Sequence, residues 1–233
     1  MGDQDFTLEW LARANRLATV AAVLSTTVHE ANNALQIISG SAEMLSAGAS
    51  PAVIGRRGEA IGSQARRASA LLAELSAFAR DEGAEAATRV DLAQIAQRAL
   101  TMRQYTLARL NVQGAFEASG PIAAAARPRP ILQIVLNLLL NSERALDGVS
   151  GGRIRLAAQQ RDQCAQLIVD DNGPGLSDEA RRHLFEARVG RSVDSLGIGL
   201  AVAKWLAERE GGTLSSAPSA LGGCAFTLSL RCS

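Results

Sequence analysis

The sequence contains few cysteines and no basic run. Its 233 residues include three cysteines, which are widely spaced and lie outside any Cys-x-x-Cys arrangement. This usage is typical of proteins in a reducing compartment and does not indicate a disulfide framework. Lysine and arginine do not cluster and the formal net charge is +1, so the electrostatic footprint of a nucleic-acid-binding protein is missing. We therefore expect no nucleic-acid partner.

Long apolar runs are also missing. The longest early run, Leu17 to Leu24, is far shorter than the roughly 20 residues with which a helix crosses a bilayer. Met1 to Trp10 has three acidic groups and no basic n-region, unlike a signal peptide. These observations predict a cytoplasmic chain without a membrane span, or a soluble part of a larger protein.

A heptad repeat of apolar residues organises the N-terminal part of the chain. From Leu17 onward, apolar residues recur in alternating steps of four and three, which predicts one long helix with a continuous seam. The seam residues are Leu17, Ala21, Leu24, Val28, Ala31, Leu35, Ile38, Ala42 and Leu45. Ser50 and Pro51 are a favourable N-cap and first position for a second helix with its own apolar stripe. Together they predict a helical hairpin.

A two-helix hairpin has too few partners to bury an apolar stripe on each helix. Pairing of two copies into a dimeric four-helix bundle would bury both stripes, so we expect a homodimer. The alternative is that the hairpin packs on the rest of its own chain.

The second part of the chain alternates short strand-like and helical segments. Strands are predicted at residues 109–115, 153–158 and 163–170, and helices at 92–102, 131–146, 178–184 and 200–209. This alternation predicts an α/β sandwich. The predicted fold class is α+β with two domains, at residues 5–83 and 88–233, joined by a linker at residues 84–88.

His29, one of two histidines, directly follows Val28 of the seam. Helical geometry turns it about 100° from the apolar stripe toward solvent. A neutral imidazole there has a free ring nitrogen that can attack an electrophile. Asn33, four residues on, shares this helix face, whereas Glu30 points elsewhere on average. The competing interpretation is a surface histidine without a role.

Two asparagines, Asn137 and Asn141, interrupt an apolar stretch at a spacing of four residues. Each would cost roughly 1–3 kcal/mol if buried without a partner, so we expect both to face a polar site. Arg144 lies on the same side, so this face offers amide oxygens to a hard cation and a guanidinium to phosphate. Hydrogen bonds to neighbouring loops are the alternative.

Two glycine-containing turns complete the pattern. In the first, a carboxylate that can accept from an exocyclic amine precedes two glycines that let a flat ligand approach the backbone. Its residues are Asp171, Gly173 and Gly175. The second opens a helix, the usual geometry for binding phosphate, and comprises Gly197, Gly199 and Leu200. Either sequence alone is also found in ordinary turns.

The order of these elements resembles the sensor histidine kinases of two-component signalling. The first two are His-Glu-x-Asn-Asn-x-Leu from His29 and Asn-x-x-x-Asn from Asn137. Asp-Asn-Gly-Pro-Gly-Leu from Asp171, Leu-Phe-Glu and Gly-x-Gly-Leu follow. The later elements are also similar to those of the ATPase superfamily that includes gyrase, Hsp90 and MutL.

The resemblance implies a role for each candidate residue. His29 would be the phospho-acceptor, Glu30 the acid/base that orients it, and Asn33 the residue that positions water in a phosphatase reaction. Asn141 would coordinate the Mg²⁺ that bridges the ATP phosphates. Asn137 and Arg144 would assist it.

The remaining roles concern the nucleotide. Asp171 would read the adenine amino group, with Gly173 and Gly175 giving the ring room. Gly197 and Gly199 would line the phosphates at the turn that Leu200 completes. Phe185 would pack under a mobile lid, and Gly222 and Gly223 occupy the last glycine-containing turn of the family.

The function implied is an ATP-dependent protein-histidine kinase that passes the phosphoryl group to an aspartate on a response-regulator receiver domain. The chain departs from the family pattern at Ala34, where proline is common, at Arg127 and Arg129, and in the lid at residues 187–196. The altered lid motivates an alternative, a phosphotransfer or phosphatase module with a degenerate nucleotide-binding domain. A superfamily ATPase that works as a conformational machine is disfavoured, because Asn137 replaces the glutamate base of such enzymes.

Overall fold

A computed structural model describes residues 3–46, 50–79, 86–186 and 198–232. The chain divides into two compact units. One is Val20–Asp81, and the other combines Met1–Thr19 with Glu82–Ser233. The boundary between the units at Asp81 and Glu82 lies close to the predicted linker, whose residues 84 and 85 are outside the described ranges. The first 19 residues, however, group with the C-terminal unit and not with the hairpin.

The N-terminal helices follow the predicted pattern. Helix α1 comprises Asp3–Ser46 and helix α2 comprises Pro51–Ala79. The Ser50 carbonyl accepts from the backbone N–H groups of Val53 and Ile54, both at 2.9 Å, so α2 begins where the proline predicts. No helix in the described ranges has an apolar stretch long enough to span a bilayer.

Among the described residues of Val20–Asp81, the buried face of α1 coincides with the predicted seam only at Ala31. The other buried residues lie one position away from the seam and include Val23, Thr27, Glu30, Ala34 and Ser41. Seam residues Leu24, Val28 and Leu35 are instead 44%, 43% and 54% exposed. The two stripes share the same spacing, but the buried one contains small and polar residues, which a search for apolar periodicity does not detect.

The C-terminal unit contains a five-stranded mixed sheet in the order β2-β4-β5-β7-β6. Its strands are β2 Gln113–Ala118, β4 Arg153–Arg161, β5 Cys164–Asp171, β6 Thr213–Pro218 and β7 Cys224–Arg231. β2 and β4 are parallel and the other pairs antiparallel. β4, β5 and β7 alternate buried and partly exposed residues, as expected for a sheet with one face on the core.

Two further strands, β1 Thr88–Asp91 and β3 Ala123–Ala126, form a separate antiparallel pair. The Asp91 carboxylate accepts from the N–H groups of Ala93 and Ile122, both at 3.0 Å. It thus caps the helix that begins at Leu92 and holds the backbone in place just before β3.

Four helices complete this unit: α3 Leu92–Arg109, α4 Pro128–Ala145, α5 Asp178–Arg182 and α6 Gly199–Arg209. α3, α4 and α6 contact the sheet, and α4 packs against both α3 and α6. The predicted α/β sandwich is therefore confirmed. The strand predicted at 109–115 begins too early, because α3 continues to Arg109 and β2 starts at Gln113.

A buried ion pair joins α3 to α4. Arg103 Nε donates to Glu143 Oε1 at 2.8 Å and Arg103 Nη2 donates to Oε2 at 2.6 Å. The side chains are only 4% and 7% exposed. Such bidentate geometry satisfies both charges at once, which a buried pair needs.

We predict that Glu143→Gln lowers the free energy of unfolding by about 3 kcal/mol, because it removes the carboxylate that binds the buried Arg103 guanidinium in a bidentate manner. Urea denaturation measures the change. The matched control is Glu117→Gln, which removes a 61% exposed carboxylate 3.6 Å from Arg155 and is expected to cost less than about 1 kcal/mol. Equal losses in the two variants would contradict the prediction.

Candidate functional site

Asp171, the last residue of β5, is 1% exposed and connects three parts of the C-terminal unit. Its Oδ1 accepts from the N–H groups of Gly173 at 3.0 Å and Cys224 at 3.2 Å. Its Oδ2 accepts from the hydroxyl of Ser142 on α4 at 2.9 Å. One carboxylate therefore sets the positions of the following turn, the start of β7 and the last turn of α4.

Glycines make close approach to this carboxylate possible. A Cβ on Gly223 would collide with Asp171 Oδ1 and with the Gly173 nitrogen. A Cβ on Gly173 would lie 3.1 Å from Asp171 Oδ1 and 3.2 Å from the Ala145 carbonyl oxygen. Gly175 has a φ of +73°, which L side chains rarely adopt. Close packing at Gly223 and Gly173 and the positive φ of Gly175 all favour glycine in this turn. The predicted role of Gly173 and Gly175, to give a flat ring room, stays a prediction.

Asn172 holds the same turn from its other side. Its Oδ1 accepts from the Arg153 N–H at 2.6 Å, and its Nδ2 donates to the Gly151 carbonyl at 2.9 Å. The start of β4 and the end of β5 are therefore joined through both atoms of one amide group.

Asn141 precedes Ser142 on α4 and is half-buried. Within the described ranges, its side-chain amide makes no hydrogen bond. Arg144, three residues on, is exposed. Asn141 therefore presents a carbonyl oxygen close in sequence to the Asp171 contact, which suits a cation ligand.

Asn137 lies one turn earlier on α4 and is 4% exposed. Its Nδ2 donates to the Asn15 Oδ1 at 2.8 Å and to the Gly199 carbonyl at 3.1 Å. Its Oδ1 lies 3.1 Å from the hydroxyl of Thr19. The sequence predicts a polar environment for Asn137 but not that residues of α1 supply it.

The first turn of α6 offers backbone N–H donors that have no partner within the helix. The helix begins at Gly199, and no side chain among the described residues caps it at Ile198. The N–H groups of such a turn bind anions well. Leu200 is half-buried in this turn, while Gly197 and the predicted lid at 187–196 lie outside the described ranges. Phe185, just before them, lies under the Lys204 ammonium at 5.3 Å.

The candidate phospho-acceptor lies in the Val20–Asp81 unit. His29 and Asn33 are exposed on α1, as predicted, whereas Glu30 is 8% exposed. Arg67 Nη2 of α2 approaches Glu30 Oε2 at 3.4 Å. Sequence reasoning missed Arg67, because it is one of several arginines on α2 and only the pairing of the two helices selects it.

Cys224, at the start of β7, is buried behind Asp171. Burial and, secondarily, the negative charge of Asp171 raise the pKa of the Cys224 thiol to about 11. Both effects disfavour the thiolate, so the Cys224 thiol is neutral near pH 7 and a weak nucleophile.

Comparison with known proteins agrees with this geometry. Residues 126–233 match the family described as histidine kinase-, DNA gyrase B-, and HSP90-like ATPase. This match includes α4, the Asp171 turn, α6 and β7. Residues 126–233 therefore resemble this class of ATPase domain.

Two sequence relatives and one solved structure are similar to larger parts of the chain. The chain is 29% identical over 95% of its length to the C4-dicarboxylate transport sensor protein DctS of Rhodobacter capsulatus. It is 30% identical, also over 95%, to DctB of Rhizobium meliloti. It spans only 35% and 36% of these two proteins. A solved structure of the mycobacterial sensor histidine kinase MprB matches 63% of this chain and 99% of its own, with 26% identity and a TM-score of 0.53.

The chain is thus similar over most of its length to proteins named as two-component sensors, and residues 126–233 match the ATPase family that includes histidine kinases. The resemblance inferred from the order of the sequence elements is confirmed. The individual site residues stay predictions.

The raised pKa of Cys224 predicts a pH-dependent stability. The folded thiol keeps its proton to higher pH than an unfolded thiol, which titrates near pH 8.5, so its stabilising contribution is lost as the pH rises toward about 11. In urea denaturation, the free energy of unfolding of the wild type should fall more steeply above pH 8.5 than that of Cys224→Ala. Cys164→Ala, which keeps the buried thiol, should retain the wild-type slope. Parallel pH profiles for all three proteins would refute the assignment.

Proposed function

We propose that this chain is an ATP-dependent protein-histidine kinase that autophosphorylates His29. The observation that carries the proposal is the Asp171 cluster. A buried carboxylate, a glycine turn that fits no larger residue and the asparagine helix α4 meet in one domain. The same chain carries an exposed histidine beside a fixed glutamate on α1.

The nucleotide site proposed here uses these residues in distinct roles. Asp171 accepts from the adenine amino group, and the glycine turn leaves room for the flat ring. The backbone donors at the start of α6 bind phosphate oxygens. The available carbonyl of Asn141 fits a Mg²⁺ ligand, and bound Mg²⁺ would neutralise charge on the phosphates.

At the acceptor, a ring nitrogen of His29 forms a bond to the γ-phosphorus of ATP as the bond from this phosphorus to the bridging oxygen of ADP breaks. The exposed position of His29 allows in-line approach. Glu30, held by Arg67, orients the imidazole from the same helix. Asn137 carries an amide that cannot accept a proton, so hydrolysis of ATP by an activated water is disfavoured.

The partners proposed are a response-regulator receiver domain, whose aspartate takes the phosphoryl group, and a second copy of the hairpin. Asn33 is positioned to assist a reverse, phosphatase reaction on the same helix face as His29. The intact Asp171 cluster favours the kinase over a phosphotransfer module with a degenerate nucleotide-binding domain.

The kinase proposal predicts that the purified chain with Mg²⁺ and γ-labelled ATP gains acid-labile phosphate. His29→Ala should abolish the label, because the acceptor nitrogen is lost. The matched control is His183→Ala, which removes the other histidine, an exposed side chain bonded to Glu186, and should leave labelling intact. Label that persists in His29→Ala, or its absence from the wild type, would count against the proposal.

The homodimer rests on the uncovered seam of α1. Leu35 is 54% exposed, so Leu35→Asp should not disturb the monomer but should place two charges in the proposed interface. We expect its dimer dissociation constant to rise by about tenfold or more, measured by analytical ultracentrifugation. Gln36→Asp introduces the same charge at the neighbouring exposed position outside the seam and should dimerise like the wild type. A monomeric wild type, or equal constants for Leu35→Asp and wild type, would refute the interface.

A further inference from the structure

The first turns of α1 pack on the ATPase-like domain and not on the hairpin. Residues Met1–Thr19 belong to the same compact unit as the sheet. Ala12, Asn15 and Thr19 are 9%, 7% and 2% exposed, whereas Trp10 and Leu17 are 65% and 63% exposed. One face of this segment is therefore buried, and that face is mainly polar.

The buried face is bonded to α4 by a network centred on Asn15. Asn15 Oδ1 accepts from Gln133 Nε2 at 3.1 Å and from Asn137 Nδ2 at 2.8 Å. Gln133 Nε2 also donates to the Ala12 carbonyl at 3.2 Å. The Thr19 hydroxyl shares its proton between the Asn15 carbonyl at 2.9 Å and Asn137 Oδ1 at 3.1 Å. All these groups are buried.

A second contact fixes the outer end of the segment. Arg209 Nη1 of α6 donates to Glu9 Oε1 at 2.6 Å, and its guanidinium lies 4.9 Å from the Trp205 ring centroid. The ion pair is half-exposed and adds little stability. It does, however, set the register of residues 9–19, the docked segment, along α6.

Asn15 of the docked segment lies next to the first residue of α6, Gly199. Asn15 Nδ2 is 3.7 Å from the point that a Cβ on Gly199 would occupy. The amide of Asn137 is fully used, since its Nδ2 donates to Asn15 and Gly199 while its oxygen faces Thr19. The docked segment is thus bonded to Asn137 and lies beside the N-terminus of α6, which is proposed to bind the phosphates.

We propose that the docked segment is an intramolecular inhibitor of the nucleotide site, so that Mg²⁺-nucleotide binds only when Asn15 and Thr19 leave Asn137. This inference rests on the proposed function. The apparent dissociation constant of the nucleotide is then the intrinsic constant divided by the undocked fraction. Because each hydrogen bond of the network contributes modestly in water, loss of the three that the Asn15 and Thr19 side chains make with α4 corresponds to about tenfold.

The test compares the wild type with Asn15→Ala/Thr19→Val by titration with a non-hydrolysable ATP analogue and Mg²⁺. The double variant should bind about tenfold more tightly, a change that damage to the fold cannot produce. Asn15→Asp keeps the acceptor for Gln133 and Asn137 and should not bind more tightly than the wild type. Thr101→Val removes a hydroxyl with a similar bond to the carbonyl four residues earlier, on α3, and should have wild-type affinity.

Amide hydrogen exchange gives a readout that does not depend on catalysis. Without nucleotide, residues 9–19 should exchange faster in the double variant than in the wild type. Adding the analogue to the wild type should accelerate their exchange as well. Equal affinities, or exchange that the analogue leaves unchanged, would overturn the inference while leaving the kinase proposal intact. No analogue binding by either protein would overturn the proposed function and, with it, this inference.

Discussion

The C-terminal unit depends on one buried carboxylate. Asp171 accepts hydrogen bonds from two backbone N–H groups and one hydroxyl, and these donors belong to the following turn, β7 and α4. A buried ionised carboxylate is tolerated only when donors surround it, so the donors must be held in place by the sheet and by α4. Gly223 is required for the same reason, because any side chain would occupy the space of the carboxylate. Fold and site are therefore specified by the same contacts.

Sequence reasoning located the elements whose chemistry conflicts with their surroundings. Asn137 and Asn141 were found because amides interrupt an apolar helix, and Asp171 because a carboxylate ends an apolar strand before two glycines. Ser142 gave no such signal, since a serine beside Asn141 is unremarkable until the fold brings Asp171 to it. The pairing of Asn15 with Asn137 joins positions 122 residues apart, which no local pattern can indicate.

Helix α1 shows why apolar periodicity alone does not locate the face that is buried within a single chain. An apolar seam and a mixed polar stripe run along it with the same spacing, one residue apart. The chain buries the stripe that contains Thr27 and Glu30 and leaves Leu24 and Leu35 uncovered. A polar contact can be replaced by hydrogen bonds to water at a small cost, because the net gain of each hydrogen bond is small. Breaking an apolar contact exposes apolar surface to water, which costs more. The strongest apolar pattern on α1 therefore lies on a face that a single chain leaves largely exposed.

The turn after β5 has a consequence for the chemical ageing of the protein. Asn172-Gly173 is the type of dipeptide in which the glycine nitrogen attacks the asparagine side chain, forms a succinimide and releases ammonia. Here the attacking Gly173 nitrogen donates to Asp171, and both ends of the Asn172 amide are bonded to the β4 side of the turn. The fold thus engages both the nucleophile and the electrophile in other hydrogen bonds, which must break before they react. The rate at which Asn172 loses ammonia is therefore set by how often the turn opens.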